Sequence, residues 1–182
     1  MNPGIIANIL IIVMELVALY LSPRGRGVMV LIFYTQISNL LTTASSILFI
    51  ALGERAALLR YVSTCMLTMT FFVTLFILVP MGGGFKKLML ERNGLFHHTL
   101  CPVLSVLSYI LWEPHSRAWY VPVAITLVYG LVMVYLNYVR AIDGPYPFFR
   151  VHCQSRTATV LWIVALLIVV TVISVAILLI AG

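Results

Sequence analysis

Six stretches of this 182-residue chain carry almost no charge: residues 1–23, 27–53, 61–85, 93–112, 118–139 and 157–182. Each is long enough to cross the roughly 30 Å of a bilayer's hydrocarbon core as a helix. Lipid offers the backbone no hydrogen-bond partners, so such segments must bond internally, and helices do so within a single segment. Composition agrees, with 63% hydrophobic residues, 9% charged residues and a mean hydropathy of +1.12, far outside the range of soluble domains. The chain therefore reads as an all-α polytopic membrane protein, a six-transmembrane-helix bundle. Residues 1–182 form one integral membrane domain, with helices at about 5–22, 28–52, 61–81, 94–112, 119–139 and 157–180, and short loops between them.

Orientation follows from the basic residues. The loops between helices 1 and 2, 3 and 4, and 5 and 6 hold Arg24, Arg26, Lys86, Lys87, Arg92, Arg140, Arg150 and Arg156, whereas the other two hold Arg55, Arg60 and Arg117. The positive-inside rule puts the first set in the cytoplasm and both termini outside. The net charge of +6 then forms a rim facing anionic headgroups, which topology alone explains. The first segment has no basic stretch before it and meets Ser22-Pro23-Arg24 where a small-residue cleavage site belongs, so it is expected to be retained. Cys65, Cys101 and Cys153 are widely spaced and suggest no disulfide framework.

Against this apolar background a few side chains need partners. Glu15 sits near the middle of the first helix, where a carboxylate costs about 2.5 to 3.5 kcal/mol on insertion scales. It should face the interior, as a proton acceptor, as the orienting partner of a histidine, or as a neutral acid bonded to a neighbouring helix. In the second helix Thr35, Ser38, Asn39, Thr42, Ser45 and Ser46 share one helical face, which points inward. Close packing with hydroxyls bonded to the preceding turn is the readier explanation of such a stripe, though Gln36, off the stripe, weakens it slightly and needs a partner of its own. His97, Cys101, Ser105 and Ser108 form a second stripe on the fourth helix. Pro102 cannot donate to the carbonyl of His98, which predicts a kink there. His97 and His98 point about 100° apart, so one should act directly and the other support it. His97 and Cys101 could begin a zinc site, but no further ligand has recognisable spacing, and neither metal nor cofactor is expected. Asn137 closes the fifth helix, and Tyr146-Pro147-Phe148 is apolar enough to dip back into the membrane.

Helices 2 and 4 both start on the cytoplasmic side, so Thr35 is expected roughly 10 Å, His97 roughly 5 Å and Glu15 roughly 12 Å below that face. A hydroxyl, an imidazole and a carboxylate at similar depth are the parts of a nucleophilic site. Asn39, one turn deeper than Thr35, is a candidate oxyanion donor, with Ser38, His98 and Asn137 as further supports. Gln36, Cys101, Tyr146 and Phe148 are candidate substrate contacts.

Three motifs carry a resemblance. Phe33-Tyr34-Thr35-Gln36-Ile37-Ser38-Asn39-Leu40, the His-His-x-x-x-Pro that begins at His97, and Tyr146-Pro147-Phe148 before the last helix resemble, in order and spacing, the androgen-induced family of multi-pass membrane hydrolases and its bacterial relatives. The resemblance implies a threonine nucleophile and a histidine base acting on fatty acid esters of hydroxy fatty acids. Carried over by position, the threonine is Thr35 and the histidine is His97. The chain departs from the animal members in being shorter and in having its termini outside, as in a bacterial inner membrane. The expected partners are a lipid ester and the surrounding membrane lipids, with no nucleic acid. A small-solute or proton transporter using Glu15 and His97 is the alternative, and an accessory membrane protein without chemistry is a third.

Overall fold

The structure, a computed structural model, describes residues 2–21 and 31–182. Among these residues there is no strand. The main elements are α1 (Pro3–Leu21), α2 (Tyr34–Leu52), α3 (Ala57–Val73), α4 (Asn93–Trp112), α5 (Tyr120–Tyr138) and α6 (Arg156–Ala181). By length and composition, five helical stretches can cross a membrane, one of them the 50-residue run Tyr34–Gly83. That run contains a reversal. A 3-10 turn at Gly53–Ala56 separates α2 from α3, and Gly53 has φ 58, a left-handed conformation that glycine adopts without penalty.

Side-chain bonds give the helix directions. Ser38 meets Thr70 at 3.0 Å and Ser45 meets Ser63 at 2.7 Å, so α2 and α3 are antiparallel. Asn8 reaches Ser108 at 3.3 Å and Glu15 reaches His97 at 3.0 Å, which makes α1 and α4 antiparallel as well. Tyr34 bonds Thr126 of α5 at 2.8 Å, and the Tyr61 hydroxyl donates to the carbonyl of Ser174 in α6 at 2.7 Å. The starts of α2, α4 and α6 thus share one end of the bundle with the Tyr146 loop. A core of Tyr61, Cys65, Met66, Tyr109 and Val170 lies between α3, α4 and α6.

Proline shapes two of these helices. Before Pro102 the chain widens into a π-helical turn, Phe96–Leu100, closed by the Cys101 N–H on the carbonyl of Phe96. Because Pro102 has no N–H for the normal bond to His98, the predicted kink takes this form. Beyond α3 a π-helical segment, Thr74–Gly83, contains Pro80 and breaks at Met81 and Gly82, where φ reaches 99 at the glycine.

Two boundaries differ from expectation. The second helix was expected from residue 28, but α2 begins at Tyr34 because Phe33 is extended (φ -85, ψ 125). Thr35 therefore lies in the first turn and not roughly 10 Å inside the helix; residues 28–30, like Arg24 and Arg26, lie outside the described ones. The third helix begins at Ala57, four residues early, so Arg60 belongs to the helix and not to a loop. Helix entry explains the last boundary, since Ser155 caps α6 by accepting from the Ala158 N–H at 3.1 Å.

Candidate functional site

The first turn of a helix leaves backbone N–H groups without partners, and at α2 the loop before α6 supplies one. The Thr35 N–H donates to the Tyr146 hydroxyl at 3.3 Å, and the same hydroxyl lies 3.2 Å from Thr35 Oγ1. Burial pushes the Tyr146 phenol above its ordinary range, with the bonds to Thr35 pulling the other way. The phenol therefore stays protonated at neutral pH. If Tyr146 accepts from the Thr35 amide and donates to its Oγ1, the threonine proton is left free for a base.

Thr35 lies on the boundary of two cavities. One, of about 1360 Å³ including its open mouth, carries Gln36, Thr74, Asn93, His98 and Tyr146 on a lining that is otherwise largely apolar, with Phe33, Leu78, Met81 and Leu88. The other, about 550 Å³ including its open mouth but only about 40 Å³ of cavity proper, is almost wholly apolar and lies among residues of α3, α5 and α6 with Phe148 and Phe149 in its lining. Thr35, Thr74 and Tyr146 line both. Gln36 and Tyr146, expected as substrate contacts, are in the first cavity and Phe148 is in the second. His98 joins them, its Nδ1 held 3.2 Å from Thr74 Oγ1. Ser38 Oγ donates to the carbonyl of Thr35 at 2.9 Å.

A second cluster is buried beside α1. Glu15 Oε2 lies 3.0 Å from His97 Nδ1, and both side chains are almost inaccessible. The carboxylate fixes the ring with Nδ1 inward, while His97 Nε2 and Glu15 Oε1 have no hydrogen-bond partner among the described residues. Cys101, expected at the substrate, instead packs its thiol against Glu15. Asn39 is 2% exposed, and neither atom of its amide is bonded. No hydrogen bond joins Thr35 to His97: the threonine is held by Tyr146 and the imidazole by Glu15. The two histidines do diverge as their spacing requires, one toward Glu15 and the other toward the Thr35 cavity.

Asn137 is not part of either cluster. Its Nδ2 donates to the carbonyl of Ile142 at 3.0 Å and its Oδ1 accepts from the Val151 N–H at 2.8 Å, so it staples the loop after α5.

Sequence reasoning missed the most heavily bonded group in the bundle. Arg60 and Glu113 form a bidentate pair, Nε to Oε2 at 2.7 Å and Nη2 to Oε1 at 3.0 Å, with both side chains 0% exposed. Ser46 and Ser105 accept from the guanidinium at 3.2 Å each, while Asn8 and Ser108 donate to Glu113 at 2.8 and 2.6 Å. The lower serines of the α2 stripe and the upper serines of α4 thus solvate a buried charge. The available signal was two serine stripes converging near the one end of the chain's helices where Arg60 and Glu113 sit.

No protein-family model matches this chain, and neither does any curated protein or any solved structure.

Proposed function

We propose that this chain crosses a bacterial inner membrane six times, with both termini outside, and hydrolyses lipid esters with Thr35 as nucleophile and His97 as base. One observation carries the reading: Thr35 lines both an open cavity that holds Gln36, Asn93 and His98 and an almost wholly apolar pocket. An amphipathic ester placed across that boundary presents its carbonyl to Thr35, with its acyl chain in the pocket and its alcohol in the cavity. The motif resemblance supports the same assignment and names fatty acid esters of hydroxy fatty acids as the substrate class.

In the reaction Thr35 Oγ1 attacks the ester carbonyl carbon and its proton passes to His97 Nε2. The bond to the alcohol oxygen breaks, and that oxygen takes the proton from His97. Water, deprotonated by the same imidazole, then attacks the acyl-threonine, releasing the fatty acid and restoring Thr35. Glu15 on Nδ1 keeps the ring in the tautomer that leaves Nε2 a base, as the acid of a triad does. His97 lines neither cavity beside Thr35, and because catalytic bonds are often long or poorly aligned before substrate binds, the reaction requires His97 Nε2 to turn toward Thr35 in the substrate complex. Asn39, whose amide has no other partner, supplies the oxyanion donor in this scheme. Losing such a donor costs about 10²- to 10³-fold in rate.

Ester hydrolysis by Thr35→Ala, Thr35→Ser, His97→Ala and His98→Ala in detergent tests the reading. Thr35→Ala and His97→Ala should be inactive and the other two partly active. Wild-type turnover by Thr35→Ala would sink the hydrolase reading, and an inactive His98→Ala beside an active His97→Ala would move the base to His98. The buried Glu15–His97 pair also favours a second reading, a proton-coupled transporter. That reading requires Glu15→Gln to abolish function while Thr35→Ala keeps it.

A further inference from the structure

Gly130 of α5 is buried, lies inside a regular helix and lines the apolar pocket beside Thr35. A glycine in a helix interior is destabilising relative to alanine, and buried helical glycines are usually explained by a neighbour that approaches too closely for a side chain. Here there is no such neighbour: a Cβ built on Gly130 would meet nothing within 4 Å. The missing side chain is therefore replaced by open pocket. Among the described residues lining that pocket, Gly130 is the only one without a side chain, and Leu127, Leu166, Leu167, Met69 and Phe148 make the remaining wall apolar.

Resting on the ester-hydrolase reading above, we infer that Gly130 sets the acyl-chain length the enzyme accepts, by leaving the pocket deep enough for the distal methylenes of a single fatty acyl chain. The occupant follows from the lining. The pocket offers mostly aliphatic and aromatic surface: of its hydroxyl-bearing residues, Thr35, Thr74 and Tyr146 also line the open cavity, while Tyr34 and Thr126 are bonded to each other, Thr70 to Ser38, and Tyr129 to the carbonyl of Ile32. A chain bonded to the carbonyl at Thr35 finds the more fully apolar lining on the pocket side, since the open cavity also carries Gln36, Asn93 and His98. One methylene gained or lost in such a pocket changes discrimination by about 10- to 200-fold.

The test uses the full chain in detergent with p-nitrophenyl esters from butanoate to hexadecanoate, and in parallel the binding of a fluorescent long-chain fatty acid. Gly130→Leu should lower the ratio of hexadecanoate to butanoate hydrolysis, and the probe affinity, by at least about tenfold. Gly130→Ala should lie between the two and serves if the leucine variant does not fold. Unchanged chain-length profile and unchanged probe affinity in a folded variant would overturn the inference. If wild type hydrolyses no ester, the hydrolase reading fails, and the binding arm alone decides the pocket: tight probe binding lost in Gly130→Leu upholds a chain-binding role, and equal binding overturns it.

Discussion

Arg60 has no exposed surface, and nothing in its immediate sequence announces that. It stands just after a short loop, where a cation ordinarily faces water, and its partner Glu113 is 53 residues away. Moving a guanidinium and a carboxylate out of water is expensive unless geometry and further hydrogen bonds compensate. The bidentate pair with its four supporting side chains meets that condition. Removing one partner leaves the other charge buried alone, so Arg60→Ala or Glu113→Ala should each destabilise the protein by about 3 to 5 kcal/mol. Thermal unfolding in detergent would measure it. Replacing both with leucine should cost less than the two single changes added together, and simple additivity would show that the pair is not coupled. His97 and His98 were more readable, because adjacent helical residues must diverge. Which of them would find a carboxylate was decided by α1, an element distant in sequence.

Among the helices, the turn that carries the histidines is the one most dependent on a single residue. Pro102 removes a donor, the helix widens over Phe96–Leu100, and the register of everything before it shifts relative to the bundle. With Pro102→Ala the N–H returns and the turn can close as an ordinary α-helix, rotating His97 away from Glu15. We expect hydrolysis to fall by about a hundredfold, the scale of a 1 Å misplacement, while the thermal midpoint holds or rises. A lower midpoint with unchanged activity per folded molecule would mean that the proline serves stability alone. The kink was visible in the sequence, but its widened form was not, because a missing donor can be met by bending, by water or by re-spacing the turn. The start of α2 was similarly hidden. Periodicity runs back to residue 28, yet Phe33 is extended, and the cap on Thr35 comes from Tyr146, 111 residues on.

Taken as a single body, the bundle alternates direction so that the Lys86, Arg140 and Arg150 loops gather at one end, with Arg55, Trp112 and Trp119 at the other. On the proposed orientation, Cys153, the exposed native thiol near Arg150, should react with an impermeant maleimide from the cytoplasmic side only. A cysteine placed at Arg55 in a Cys153→Ser background should react from the opposite side only. Labelling of both from one side would overturn the six-crossing arrangement. The apolar stretches, their approximate ends, the inward stripe of α2 and the need of Glu15 for a partner all followed from local chemistry, since a bilayer penalises each unpaired charge and backbone group wherever it falls in the chain. Pairing could not follow that way. Glu15 with His97, Arg60 with Glu113, and Thr35 with Tyr146 join residues 53 to 111 positions apart. Each pairing depends on which helices pack side by side and at what rotation, and that is settled by the summed packing of whole helix faces.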